Sequence, residues 1–195
     1  VYLSLGQVYA AQNKSAEAEA AYLNVKSLPE LLMARRNLYQ LWLKNNPEKA
    51  EKAWKTWYAE AEEAMPYILI KTESLRSKKD YTGGVAYLTQ EIAQQSNTDD
   101  LYYERALLHD LAGQAAASEA DLRYLLAKNA DNTAALNALG FGLVERGERL
   151  DEAEKYLQKA LSNEPNSPAI LDSVGWLRYK QGRFNDALDY LQRAK

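Results

Sequence analysis

ALNALGFGLVERGERLDEAEKYLQKALSNEP, residues 135–165, is followed closely by ILDSVGWLRYKQGRFNDALDYLQRAK, residues 170–195. Laid over each other, the two stretches keep small and apolar residues at the same places. Leu139-Gly140, Gly147, Ala153, Leu157 and Ala160 are answered by Val174-Gly175, Gly182, Ala187, Leu191 and Ala194. Matching positions lie 35 residues apart at first and 34 further on. A period of that size, with helix-compatible spacing inside it, marks a stacked helix–turn–helix solenoid. The physical logic is direct. Where two helices of a pair cross closely, a side chain on either would hold them apart, so Gly or Ala recurs there and larger apolar residues fill the surrounding space.

Bulk properties narrow the class further. The chain has 195 residues, 47% of them hydrophobic, with a formal net charge of −3. That composition belongs to a folded protein, and the weak negative charge excludes the electrostatic footprint of a nucleic-acid binder. Cysteine is absent, so there is no disulfide framework, thiolate nucleophile or cysteine-based metal site. No apolar run approaches the ~20 residues of a membrane-spanning helix. The sequence opens at Val1, already inside a helical pattern, and stops at Lys195 before the last repeat reaches its closing turn. It is expected to be a fragment of a longer protein, with no membrane contact of its own.

Read backwards from the clear copies, the spacing resembles the tetratricopeptide repeat, whose 34-residue unit pairs a helix A with a helix B. The resemblance implies an all-α solenoid of about six repeats and a right-handed superhelix. As a single array over residues 1–195, the repeats fall at 1–30 (partial), 31–64, 65–98, 99–132, 133–167 and 168–195 (partial). The fifth is one residue longer because Arg149-Leu150 extends the turn after Gly147. Pro47 and Pro66 suit the first turn of a helix. Gly83-Gly84 falls near the start of a B helix and is expected to loosen it. Trp54 and Trp57 fall at core positions.

Residues able to carry catalysis are scarce. His109 is the sole histidine and sits at a packing position, with no ligand at metal-binding spacing. Gly140-Phe141-Gly142 lacks the preceding strand and third glycine of a dinucleotide loop. The adjacent carboxylates Glu62-Glu63, Asp99-Asp100 and Asp151-Glu152 diverge around a helix and read as helix-start charges or solvated faces. No catalytic residue, cofactor site or metal site is assigned, and the chain is not expected to be an enzyme.

In the family that the spacing resembles, A helices line a concave groove. Carried onto this sequence, the inward positions are Arg35, Tyr39 and Trp42, then Leu69, Glu73 and Arg76. The fourth repeat supplies Tyr103, Leu107 and Asp110, the fifth Asn137 and Phe141, and the sixth Asp172, Trp176 and Tyr179. Aromatic and arginine side chains dominate interface hot spots, and the Asn137 amide can donate and accept toward a peptide backbone. The expected partner is a protein or extended peptide.

A narrower likeness rests on residues 135–153 and on Ser167-Pro168-Ala169-Ile170-Leu171-Asp172-Ser173-Val174-Gly175-Trp176. These are similar to the C-terminal repeats of proteobacterial outer-membrane tetratricopeptide lipoproteins, over roughly residues 99–195. The best-known type is the adaptor of a carboxyl-terminal processing protease, which delivers cell-wall hydrolases to it. The resemblance implies a periplasmic scaffold anchored through an N-terminal segment outside this sequence; without it, the location would be cytoplasmic. The alternative is a structural assembly module for an envelope or pilus complex, self-associating through exposed end repeats.

Overall fold

The computed structural model describes residues 1–96 and 98–195; Asn97, near the end of the expected 65–98 repeat, lies outside the described residues. Among the described residues there are twelve helices and no strand. The chain divides into two compact units, Val1–Lys79 and Asp80–Lys195. The first holds α1 (Tyr2–Ala11), α2 (Ser15–Leu23), α3 (Glu30–Asn45), α4 (Pro47–Ala59) and α5 (Met65–Ser77). The second holds α6 (Tyr81–Gln94), α7 (Asp99–Leu111), α8 (Ala115–Lys128) and α9 (Thr133–Arg146). It continues through α10 (Leu150–Asn163), α11 (Pro168–Lys180) and α12 (Phe184–Arg193).

Helix starts follow from local chemistry. The Asn46 side chain accepts the Lys49 amide at 3.0 Å while Pro47 opens α4, and Asn132 accepts the Ala135 amide at 3.0 Å to open α9. Asp80 does the same for α6, accepting the Gly83 amide at 3.0 Å. α6 runs unbroken from Tyr81 because its N-cap is satisfied, and the missing Cβ of Gly84 leaves room for Leu108 of α7.

The turns explain the extra residue of the fifth repeat. Gly182 takes φ +76° between α11 and α12, a left-handed conformation that closes the helix end without steric cost. Gly147 does likewise at φ +68° after α9, but a second left-handed residue follows, Arg149 at φ +44°. A non-glycine residue there is disfavoured and needs support from its surroundings. The Arg149 guanidinium supplies it by donating to both oxygens of Glu119 at 3.0 and 2.5 Å.

Packing inside the second unit turns on the small residues. A Cβ added at Gly140 would stand 2.7 Å from the Leu157 side chain and 3.3 Å from the Ala153 carbonyl oxygen. At Gly175 it would meet Leu191 at 2.8 Å and the Ala187 carbonyl oxygen at 3.3 Å. The two helix crossings are thus near copies. Around them Leu136, Leu139, Leu143, Leu157, Val174 and Leu177 form one buried cluster, each fully buried leucine contributing about 1.5–3 kcal/mol. In the first unit the core is aromatic, with Tyr22, Tyr39, Trp42, Trp54 and Tyr67 all buried.

Candidate functional site

The expected groove residues separate by unit. In the first, Tyr39 and Trp42 are core residues, 1% and 5% exposed, which corrects their assignment to an open groove. The reason is what stands opposite them. Trp57 of α4 stacks on Trp42 with ring centroids 5.9 Å apart, and the Lys49 ammonium lies 4.5 Å from the same ring. The Tyr39 hydroxyl donates to Glu51 at 2.6 Å, and burial, helped by that carboxylate, pushes its pKa up. Trp57 itself, expected in the core, is half-buried. Arg35 donates to the Tyr67 hydroxyl and lies over the Trp57 and Tyr67 rings. Glu73 is paired with Arg36, whose Nε donates to it at 2.6 Å, and Leu69 is exposed.

In the second unit two features emerge. The first is a shallow cleft between α7, α8 and α9, where Leu107, Asp110 and Phe141 meet with Leu122, Glu119 and Arg146. The second is an aromatic row on α11 and α12. Trp176 and Tyr179 stack with centroids 5.0 Å apart and planes 7° apart, and Phe184 meets Tyr179 edge-on at 5.6 Å. Tyr179 is 49% and Phe184 62% exposed, while Trp176 packs one side against the core cluster. The Lys180 ammonium lies 5.1 Å from the Trp176 ring. Asp172 is exposed on the same helix.

Tyr103 and Asn137 are half-buried. Burial pushes the Tyr103 hydroxyl pKa up, with the Glu104 charge adding. The Asn137 Oδ1 and the Trp176 indole Nε1 are shielded from solvent and have no hydrogen-bond partner among the described residues, which leaves two strong polar atoms uncommitted on neighbouring helices. Phe184 was missed because it falls at the first residue of a B helix, which carries no groove position.

One wall of the cleft is held by charge. Glu119 takes Arg149 and Arg123, the latter at 2.8 Å, and Arg123 continues to Glu152 at 2.5 Å. Arg149 foremost, then Arg123, hold the Glu119 carboxyl down to about 2 against the opposing effect of burial. Because its pKa falls from 4.5 on folding, the ionised form contributes stability above about 4.5, and that contribution drains as pH drops toward 2. Glu119→Gln should cost about 1 kcal/mol at neutral pH, discounted for the surface position of its arginines. Urea midpoints should then converge with those of the unaltered protein as pH falls. A constant gap down to the acid limit would show that Glu119 does not carry that pH dependence.

His109 is structural in setting. Its Nδ1 lies 2.6 Å from the Gln114 Oε1 in the α7–α8 turn, and its Nε2 lies 3.9 Å from Asp121, which Arg105 grips with two hydrogen bonds at 2.7 and 2.8 Å. Among the described residues no three His, Cys, Asp or Glu side chains converge as metal ligands, and no helix is long and apolar enough to cross a membrane.

The architecture defines an all-α helical-repeat protein with solvent-facing aromatic side chains. No family model matches the chain. It is 32% identical over 195 residues to a TPR repeat-containing protein of Pseudomonas aeruginosa, covering 99% of this chain and 33% of that protein. The chain thus spans about a third of the length of that curated relative. Among solved structures it resembles a tetratricopeptide repeat protein from Parabacteroides merdae, with TM-score 0.65, 14% identity, and 98% of this chain and 77% of that one covered. MamA of Desulfovibrio magneticus gives TM-score 0.61 at 18% identity, covering 86% and 95%. YrrB, a TPR protein with an unusual peptide-binding site, gives 0.56 at 18%, covering 84% of each. The helix pairs have the tetratricopeptide-repeat fold, and the chain is similar to a tetratricopeptide repeat protein along nearly all of its own length. Such proteins generally mediate protein–protein interactions and are typically non-enzymatic scaffolds.

Proposed function

We propose that this chain is a non-enzymatic adaptor whose C-terminal unit holds an extended segment of a partner protein. The observation that carries the reading is the stacked Trp176–Tyr179–Phe184 row, in which the Tyr179 and Phe184 rings stand in water beside the half-buried Trp176. Exposed aromatics of this kind are costly to solvate and become anchors when a partner covers them. YrrB shares the fold, and its peptide-binding site supports the same class of ligand here.

The likeness of residues 135–153 and 167–176 to outer-membrane lipoproteins supports a finer version. In it the protein works in the periplasm, anchored through an N-terminal segment, and brings cell-wall hydrolases to a carboxyl-terminal processing protease.

The test is a titration of the chain against a purified processing protease and its hydrolase substrates. Replacing Trp176 and Tyr179 together with Ala should weaken binding by more than about 2 kcal/mol, roughly thirtyfold. Circular dichroism should stay helical. Unchanged affinity in a folded variant would move the surface away from the row. Failure to bind either protein would sink the adaptor role and favour the assembly-module alternative.

A further inference from the structure

The first unit carries a surface that the aromatic row does not explain. Beside the loop joining α4 to α5 an open pocket lies within that unit. Leu28, Leu31, Leu32 and Pro66 form its apolar wall, and Leu28 is 68% exposed. Glu60, Glu62 and Glu63 line its rim, all three exposed. The wall does not end there. Leu32 and Pro66 also line an adjoining cleft, which continues between α3 and α5 past Met33, Leu69 and Ile70. At its far side Arg36 and Glu73 neutralise each other.

Local structure accounts for the carboxylates only in part. Glu60 caps the C-terminus of α4, where a negative charge opposes the helix dipole, and the last turn of α4 has no basic residue. Glu62 and Glu63 stand before the N-terminus of α5, which favours their sign, yet α5 has no side-chain cap. None of the three has an ion pair or side-chain hydrogen bond among the described residues. The one cation in the lining, Arg35, is engaged with the Tyr67 hydroxyl and the Trp57 and Tyr67 rings. The pocket is therefore apolar along one wall and negative at the rim.

We propose that this strip docks a basic, leucine-rich segment of a partner protein, independently of the aromatic row on α11 and α12. Apolar side chains of the segment lie along Leu28, Leu32 and Pro66, and its lysines or arginines meet Glu60, Glu62 and Glu63. Charge complementarity selects this occupant. A neutral or acidic apolar segment would cover three carboxylates without offering them a partner, which costs free energy and rejects it.

The probe is a short fluorescent peptide of alternating Leu and Lys, with a Leu–Glu peptide of the same length as control. Binding is read by anisotropy at low and high salt. The triple variant Glu60→Gln, Glu62→Gln, Glu63→Gln should weaken the Leu–Lys peptide about tenfold and flatten its salt dependence. A control triple with the same charge change, Glu145→Gln, Glu164→Gln, Asp189→Asn, should bind as the unaltered chain does. Leu28→Ser should also weaken binding, because it removes an exposed apolar contact without touching charge. Trp176→Ala with Tyr179→Ala should leave it unchanged. The proposal is overturned if the Leu–Lys peptide does not bind, if the Leu–Glu peptide binds equally, or if the rim triple has no effect. Equal loss in both triples would reduce the attraction to net charge and overturn it too.

Discussion

Trp54→Ala should destabilise the first unit by about 3–5 kcal/mol, the range for truncating a buried tryptophan. Trp54 is 8% exposed at the centre of the aromatic core. Its indole Nε1 donates to the Tyr67 carbonyl oxygen at 2.8 Å, which ties α4 to α5. Its ring stacks on Tyr58 at 5.1 Å and lies 5.1 Å from the Lys71 ammonium, which also pairs with Glu51. Alanine would remove the hydrogen bond, the stack and the support for that lysine, and leave a cavity that neighbouring rigid rings cannot close. Trp176→Ala should cost clearly less, because only one side of that ring packs against the core. Thermal melts give the ranking, and hydrogen exchange assigns the Trp54 loss to α3, α4 and α5. The reverse ranking would show that solvent exposure at Trp176 has been misjudged.

The contrast between these two tryptophans also shows what the sequence could convey. The repeat is legible because its crossings demand missing side chains: Gly140 faces Leu157 and Ala153 as Gly175 faces Leu191 and Ala187, and that demand is written as a period. Groove positions are less legible. Tyr39 and Trp42 occupy places on α3 equivalent to ones on α9 and α11, yet they are buried. Position along a helix fixes the direction of a side chain, whereas its exposure depends on the opposing residue, here Trp57, Lys49 and Glu51. Phe184 joins the aromatic row only because the turn after α11 brings it against Tyr179. The pocket walled by Leu28 and Pro66 comes from two segments far apart in sequence, neither carrying a motif. The division at Lys79 falls in a turn with no shift of composition to announce it.

The last test separates two glycines two residues apart on α9. Gly140→Val should destabilise the second unit by about 3 kcal/mol, at the upper end of overpacking penalties. Its Cβ alone would stand 2.7 Å from the Leu157 Cγ and 3.3 Å from the Ala153 carbonyl oxygen, before either γ-methyl is placed. Leu157 is fully buried and cannot swing away, and the carbonyl belongs to helix backbone, so α9 and α10 must separate. Gly142→Ala should do the opposite. The only atom its Cβ would meet is the Arg146 Nη1, at 3.3 Å, the far end of a flexible side chain. With that small adjustment the helix gains the propensity difference between alanine and glycine, up to about 1 kcal/mol. Urea unfolding followed at the helical signal measures each change, and opposite signs are the expected result. Loss of stability in both variants would mean that α9 tolerates no Cβ on either side, and the close crossing would no longer distinguish Gly140.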